Sequence, residues 1–160
     1  MSEAASNRVF LRHALATVAY RAGKVLRDAP ESFSGFAAGE KGRTAGQILA
    51  HLGDLMEWAL SMAEGNMKWH DSKPLAWRAE VDRFYAALKA FDDYLASDKP
   101  VEAPLEKLFQ GPVADALTHV GQLAMMRRMA GCAMRGESYY AAEMAVGRVG
   151  REQAAPKREF

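Results

Sequence analysis

Asp115, His119, Gln122 and Met126 follow one another at spacings of four, three and four, which on a helix sets them in one line. Thr118, Leu123, Met125 and Met129 flank that line, so a polar row runs down an otherwise apolar face. Residues four apart stand about 5–6 Å from each other at Cβ, near enough for Asp115 and His119 to reach one cation. A second imidazole, His51, falls within about 60° of Ile48, Leu55, Trp58 and Met62 on its own segment, which turns it toward a helical interior. Ionised or polar groups placed there are expensive unless they pair or coordinate a cation. If the two segments lie side by side or diagonally, His51, Asp115 and His119 form a two-histidine, one-carboxylate set with open coordination positions.

A plainer reading uses the same residues. A histidine on an apolar face is commonly a hydrogen-bonded core side chain, and Asp115 can serve as a first-turn carboxylate at a helix N-terminus. His13 shares a side of its segment with Thr17 and Tyr20, away from the main apolar stripe, and His70 lies in a loop; both are expected in solvent or at a pocket edge. Cys132 falls about 220° round the helix from His119, so it is expected to pack and not to ligate. The sulfur of Met125, Met126, Met129 and Met134 reads first as adaptable core filler.

Four helical segments must position these groups. The first, 6–27, carries Leu11, Leu15, Val18, Ala22 and Val25 at helical spacing. The second runs from Thr44, with Gln47 three residues on as a capping box, to 62 or 64, where Gly65-Asn66 ends it. The third, 74–96, opens on a proline and shows Trp77, Val81, Phe84, Leu88, Phe91 and Leu95 on one stripe. The fourth, 112–134, opens on Pro112 after a short helical piece at 104–109. No segment alternates with period two, so the expected fold is all-α, an antiparallel four-helix bundle over 1–135. Residues 136–160 form a partly ordered C-terminal extension with one short amphipathic helix and a frayed end, and they are not a separate domain.

Composition narrows the functions. The 160 residues carry 21 Lys plus Arg against 20 Asp plus Glu, with 49% hydrophobic residues, which fits one globular domain. A net charge of +1 offers no general attraction to nucleic acid or acidic membranes. One cysteine excludes an intramolecular disulfide and a cysteine-rich zinc site, so any metal must use histidine and carboxylate. The chain start lacks a signal-peptide layout and no apolar run approaches a membrane span, so the expected location is cytoplasmic. There is no G-x-S-x-G elbow, Walker loop or G-x-G-x-x-G. The glycine-rich stretch 39–46 lacks the lysine–hydroxyl pair of a phosphate loop.

The segment TAGQILAHLGDLMEWAL at 44–60 resembles the second helix of the DinB/YfiT-like metalloenzyme superfamily, and DALTHVGQLAMMRRMAG at 115–131 resembles its last bundle helix. The two histidines are 68 residues apart, in the expected order, within a match of roughly residues 6–135. The family holds a divalent metal with three histidines, two of them in H-x3-H on the last helix. His51 and His119 match, whereas Asp115 stands where the other histidine is usual. A carboxylate there lowers the net charge of the site by one and leaves zinc, nickel or iron as the metal.

The resemblance implies a metal-dependent thiol S-transferase or isomerase using mycothiol, bacillithiol or glutathione on a small molecule. Gln122 is then a hydrogen-bond partner or pocket-lining amide, with Trp58, Met62, Met126 and Tyr20 around an apolar acceptor pocket. Arg12 or Arg127 would meet the thiol's carboxylates, with a solvated helix face as their plainer role. A homodimer would use apolar positions such as Leu117, Ala124 and Tyr139. The competing reading is a non-catalytic metal- or ligand-binding bundle whose polar row is structural.

Overall fold

The computed structural model describes residues 3–160, and the fold is an all-α bundle. Its long helices are α1 (Glu3–Leu26), α2 (Ala45–Ala63), α3 (Trp77–Ala96) and α5 (Ala114–Met129), with a single turn, α4 (Leu105–Leu108), leading into α5. No helix of the described residues is long and apolar enough to cross a membrane. The stripes expected on α1 and α3 are buried along their whole length, from Leu11 to Val25 and from Trp77 to Leu95. Thr44 caps α2 as its capping box requires: its Oγ1 accepts from Gln47 N at 3.2 Å and its N–H donates to Gln47 Oε1 at 2.8 Å. Gly65, at φ +74°, ends α2 in the left-handed conformation that glycine adopts without a Cβ penalty.

The connectivity differs from an all-antiparallel arrangement. Trp77, at the start of α3, packs edge-on against Phe33, just before α2, and the last carbonyl of α2, Ala63, accepts from Glu102 N, just after α3. Helices α2 and α3 therefore run in the same direction. Helices α1 and α5 run the opposite way: Arg127 bonds the carbonyls at the end of α1, while Phe109, just before α5, shares a hollow with Phe10 and Leu11. A parallel pair needs a connection that returns along the helix. The 13 residues 64–76 can reach about 43 Å, and the 19-residue α2 is about 28 Å long. Going round the bundle, the order is α1, α3, α2, α5, so α1 and α2 are diagonal.

Pro112 does not open the last helix. It sits inside a widened, π-type turn, Phe109–Val113, that joins α4 to α5, because a proline has no N–H for the ladder and the wider turn accommodates the missing bond. Helix α5 stops at Met129, earlier than the expected 134, where Gly131 takes φ +75°. The extension after Gly136 contains no helix, and its end is held: Phe160 N donates to the Gly136 carbonyl, and Glu159 pairs with Lys24 at 2.8 Å. Val149 joins the core, and Arg151 pairs with Asp82 on α3. The extension thus lies along the α1–α3 side.

Two arginines hold buried polar atoms. Arg127, expected on a solvated face or at a cofactor, is buried and donates to the carbonyls of Val25, Arg27 and Cys132 at 2.8–2.9 Å, closing α1 where its last carbonyls lack partners. Arg83 lies over Gly53 in the α2–α3 groove, where an added Cβ would come within 2.8 Å of its guanidinium. It bonds Asp54, Glu57, Glu80 and the Ala50 carbonyl. Asp54 and Glu80 are buried, so their charges depend on that guanidinium. Replacing Arg83 by Met is expected to lower stability by about 3–5 kcal/mol in urea unfolding. Arg151→Met, which removes an exposed pair with Asp82 and a guanidinium 5.8 Å from the centre of the Tyr85 ring, should cost under about 1 kcal/mol.

Candidate metal centre

Helices α2 and α5 are neighbours, and their seam brings His51, Asp115 and His119 together. One ligand atom from each lies within 4.8 Å of the others. His51 Nε2 and His119 Nε2 each stand 3.5 Å from Asp115 Oδ2, and the two imidazole rings meet at 87° with centroids 4.7 Å apart. A hydrogen bond between such atoms would measure about 2.7–3.0 Å. Two ligands of a tetrahedral zinc, each about 2.1 Å from the ion, lie about 3.4 Å apart. The separations therefore suit a shared cation and are long for direct hydrogen bonds.

The chemistry of the donors agrees with the geometry. His119 Nδ1 is 2.7 Å from Gln122 Oε1, an atom that only accepts, so Nδ1 carries a proton and Nε2 is the nitrogen that faces Asp115. Burial lowers the His51 pKa below its usual 6.5, helped by the positive fields of His119 and Arg43 and opposed by Asp115. The imidazole is therefore neutral near pH 7 and able to ligate. The site is shallower than expected: the side chains of His51 and His119 are 15% and 12% exposed, and that of Asp115 is 46% exposed. It opens at the rim of the α2–α5 seam, so desolvation is not what drives the cluster together.

Two apolar clefts flank the cluster. One, of about 460 Å³, includes His119, Gln122, Met126 and Arg43 in its wall; the other, of about 430 Å³, includes His51, Asp115, Trp58 and Trp69. Gln122 and Met126 thus line one cleft and Trp58 the other. Met62 is half-buried against the core and belongs to neither wall. Tyr20 is not at the site either: it lies on α1, diagonal to α2, and its hydroxyl donates to buried Glu137 in the C-terminal extension at 2.6 Å. Arg12 is held by both Asp92 oxygens at 2.9 Å on the α1–α3 side. Leu117 and Ala124 are half-buried against the core, and Tyr139 is engaged by the Tyr20 ring and Arg21. His13 and His70 are exposed, and Cys132 packs against the core, as expected.

The connection 64–76 supplies what sequence reasoning missed. Its backbone is latched twice, at Lys68 by Ser61 Oγ and at Ser72 by the Asp54 carboxylate. Between the latches Trp69 stands edge-on to both His51 and Trp58, at 5.5 and 5.6 Å. Asp54 is fixed in turn by Arg83. Met67 and Trp69, two large apolar side chains in a thirteen-residue connection, were the available signal.

Because burial holds the folded pKa of His51 below the unfolded 6.5, the unfolded chain binds more protons between the two values. Stability is therefore full above pH 6.5 and is lost as pH falls toward the folded pKa. The urea midpoint of metal-free protein is expected to drop from pH 7.5 to 5.5, and His51→Gln should reduce that drop.

Comparison of the chain with protein-family models, with curated proteins and with solved structures finds no match, so the chemistry of the seam rests on its own geometry.

Proposed function

We propose that this chain is a divalent-metal-dependent enzyme of the DinB/YfiT-like type, a thiol-dependent S-transferase or isomerase acting on a small molecule. The observation that carries the reading is the 3.5 Å spacing of two imidazole nitrogens around one carboxylate oxygen, open on two sides to apolar clefts. His51 and His119 would ligate through Nε2 and Asp115 through its carboxylate, with zinc, nickel or iron as the metal. A divalent cation so held lowers the pKa of a bound thiol or water, making thiolate or hydroxide available near neutral pH.

The chain's own residues set the conditions for that chemistry. Gln122 holds the His119 tautomer, and Trp69 braces His51 from the side. The single carboxylate leaves a net charge of +1 on a divalent site, which favours an anionic partner over a neutral one. Trp58, Trp69 and the methionines keep the flanks apolar. The lone thiol, Cys132, suits a reducing compartment, and on that ground we place the protein in the cytoplasm. We also propose a homodimer, formed through the apolar surface that the bundle leaves exposed.

Metal analysis of purified protein tests the reading. About one ion per chain is expected, lost in His51→Ala and in His119→Ala. Asp115→His should keep it, since the variant restores a three-imidazole set. Zinc at a hundred times its Kd should stabilise the wild type by about 2.7 kcal/mol and leave the alanine variants unmoved. In cobalt-substituted protein a low-molecular-weight thiol is expected to change the visible spectrum. No metal bound to the wild type would overturn the proposal; metal bound without any response to thiols would favour the non-catalytic binding bundle.

A further inference from the structure

The two clefts beside the seam are not equivalent. Met125 and Met129 in the first are 55% and 56% exposed, two large apolar side chains left in water side by side on one face of α5. Met126 and Ile48, both buried, form its floor, and His119 and Gln122 join it to the metal ligands. Among the described residues lining it, Arg43 is the one charged side chain. Among the described residues that guanidinium has no carboxylate or carbonyl partner, whereas Arg12, Arg83, Arg127 and Arg151 are all committed. Arg43 also directly precedes the Thr44 cap, where the α2 dipole adds positive potential. The second cleft, walled by Trp58, Met67 and Trp69, has the Asp115 carboxylate as its charged side chain and no guanidinium to meet an anion.

We infer that the methionine-lined cleft seats the organic substrate of this centre, and that the substrate is a carboxylate with an apolar body, its anionic group paired with Arg43. A volume of about 460 Å³ falls in the range of small-molecule sites. The three flexible thioethers that α5 contributes fit an alkyl or aryl body without demanding one shape. An unpaired guanidinium at an apolar wall gives a carboxylate a charge-assisted, two-pronged hydrogen bond that an alcohol or an amine cannot match. The inference rests on the metal-centre reading for the chemistry of the seam, but the binding it describes needs only Arg43 and the methionines.

The test uses full-length protein carrying 13C-methyl methionine, metal-free and zinc-loaded, titrated with octanoate, n-octanol and octylammonium. Octanoate is expected to shift the methyl signals of Met125, Met126 and Met129 in both forms and to leave Met67, across the seam, unmoved. Octanol should bind the same methyls about tenfold more weakly, the worth of one charge-assisted hydrogen bond, and octylammonium more weakly still. Arg43→Ala, an exposed position whose loss leaves no buried partner, should reduce octanoate to the level of octanol, and Arg43→Lys should keep part of the difference. Equal binding of octanoate and octanol, a shift at Met67 in place of the other three, or octanoate binding that needs zinc and ignores Arg43→Ala would overturn the inference. Zinc titration of the same samples separates the two claims. Arg43-dependent octanoate binding in a protein that takes no zinc removes only the metal reading, whereas zinc binding without it removes only this one.

Discussion

Two imidazole nitrogens, each 3.5 Å from one carboxylate oxygen, lie far apart for strong hydrogen bonds and close enough to share one cation. Much of the surrounding architecture reads as the means of holding them so. Asp115 and His119 keep their relation through the pitch of α5, which a proline-bearing wide turn precedes without breaking. His51 comes from α2, whose place is fixed by close packing on α3 over Gly53 and by the Arg83 cluster in that groove. An ionic group whose Asp54 and Glu80 carboxylates are buried thus stands behind a site that is only half-buried.

The parallel course of α2 and α3 matters for the same reason. A short hairpin between them would leave the α2–α5 seam bare, whereas the returning connection carries Trp69 past His51 and Trp58. Ser61 and Asp54, both on α2, fasten that strand of chain to the helix that supplies the ligand. On the opposite side of the bundle the C-terminal extension closes over α1 and α3, with Lys24 joining Glu137 and Glu159. One face is sealed and the other is left open.

The helices were legible because their signals are local. Apolar spacing marked α1 and α3, and the Thr44–Gln47 pair marked the start of α2. The ligand trio was legible because helical pitch relates Asp115 to His119, and His51 stood out on its own stripe. What was not legible depends on long-range placement. The order of helices round the bundle cannot be read from periodicity, so Tyr20, on the helix diagonal to α2, reads as a pocket residue when it faces Glu137. Arg127 reads as a surface cation until the end of α1 arrives beside it, and Trp69 reads as loop until the loop is laid along α2. Pro112 gave the right neighbourhood and the wrong role, since a proline at a helix start and one inside a wide turn leave the same mark in a sequence.

The chain has four histidines, and only two belong to the seam, which gives the account an internal control. Side-chain 15N spectra recorded while one equivalent of zinc is added test it most directly. The Nε2 signals of His51 and His119 should move together to the metal-bound range, with His119 Nδ1 remaining protonated against Gln122, while His13 and His70 stay in place. Zinc that leaves the signals of residues 51 and 119 unchanged, or that moves those of residues 13 and 70 instead, would contradict the account.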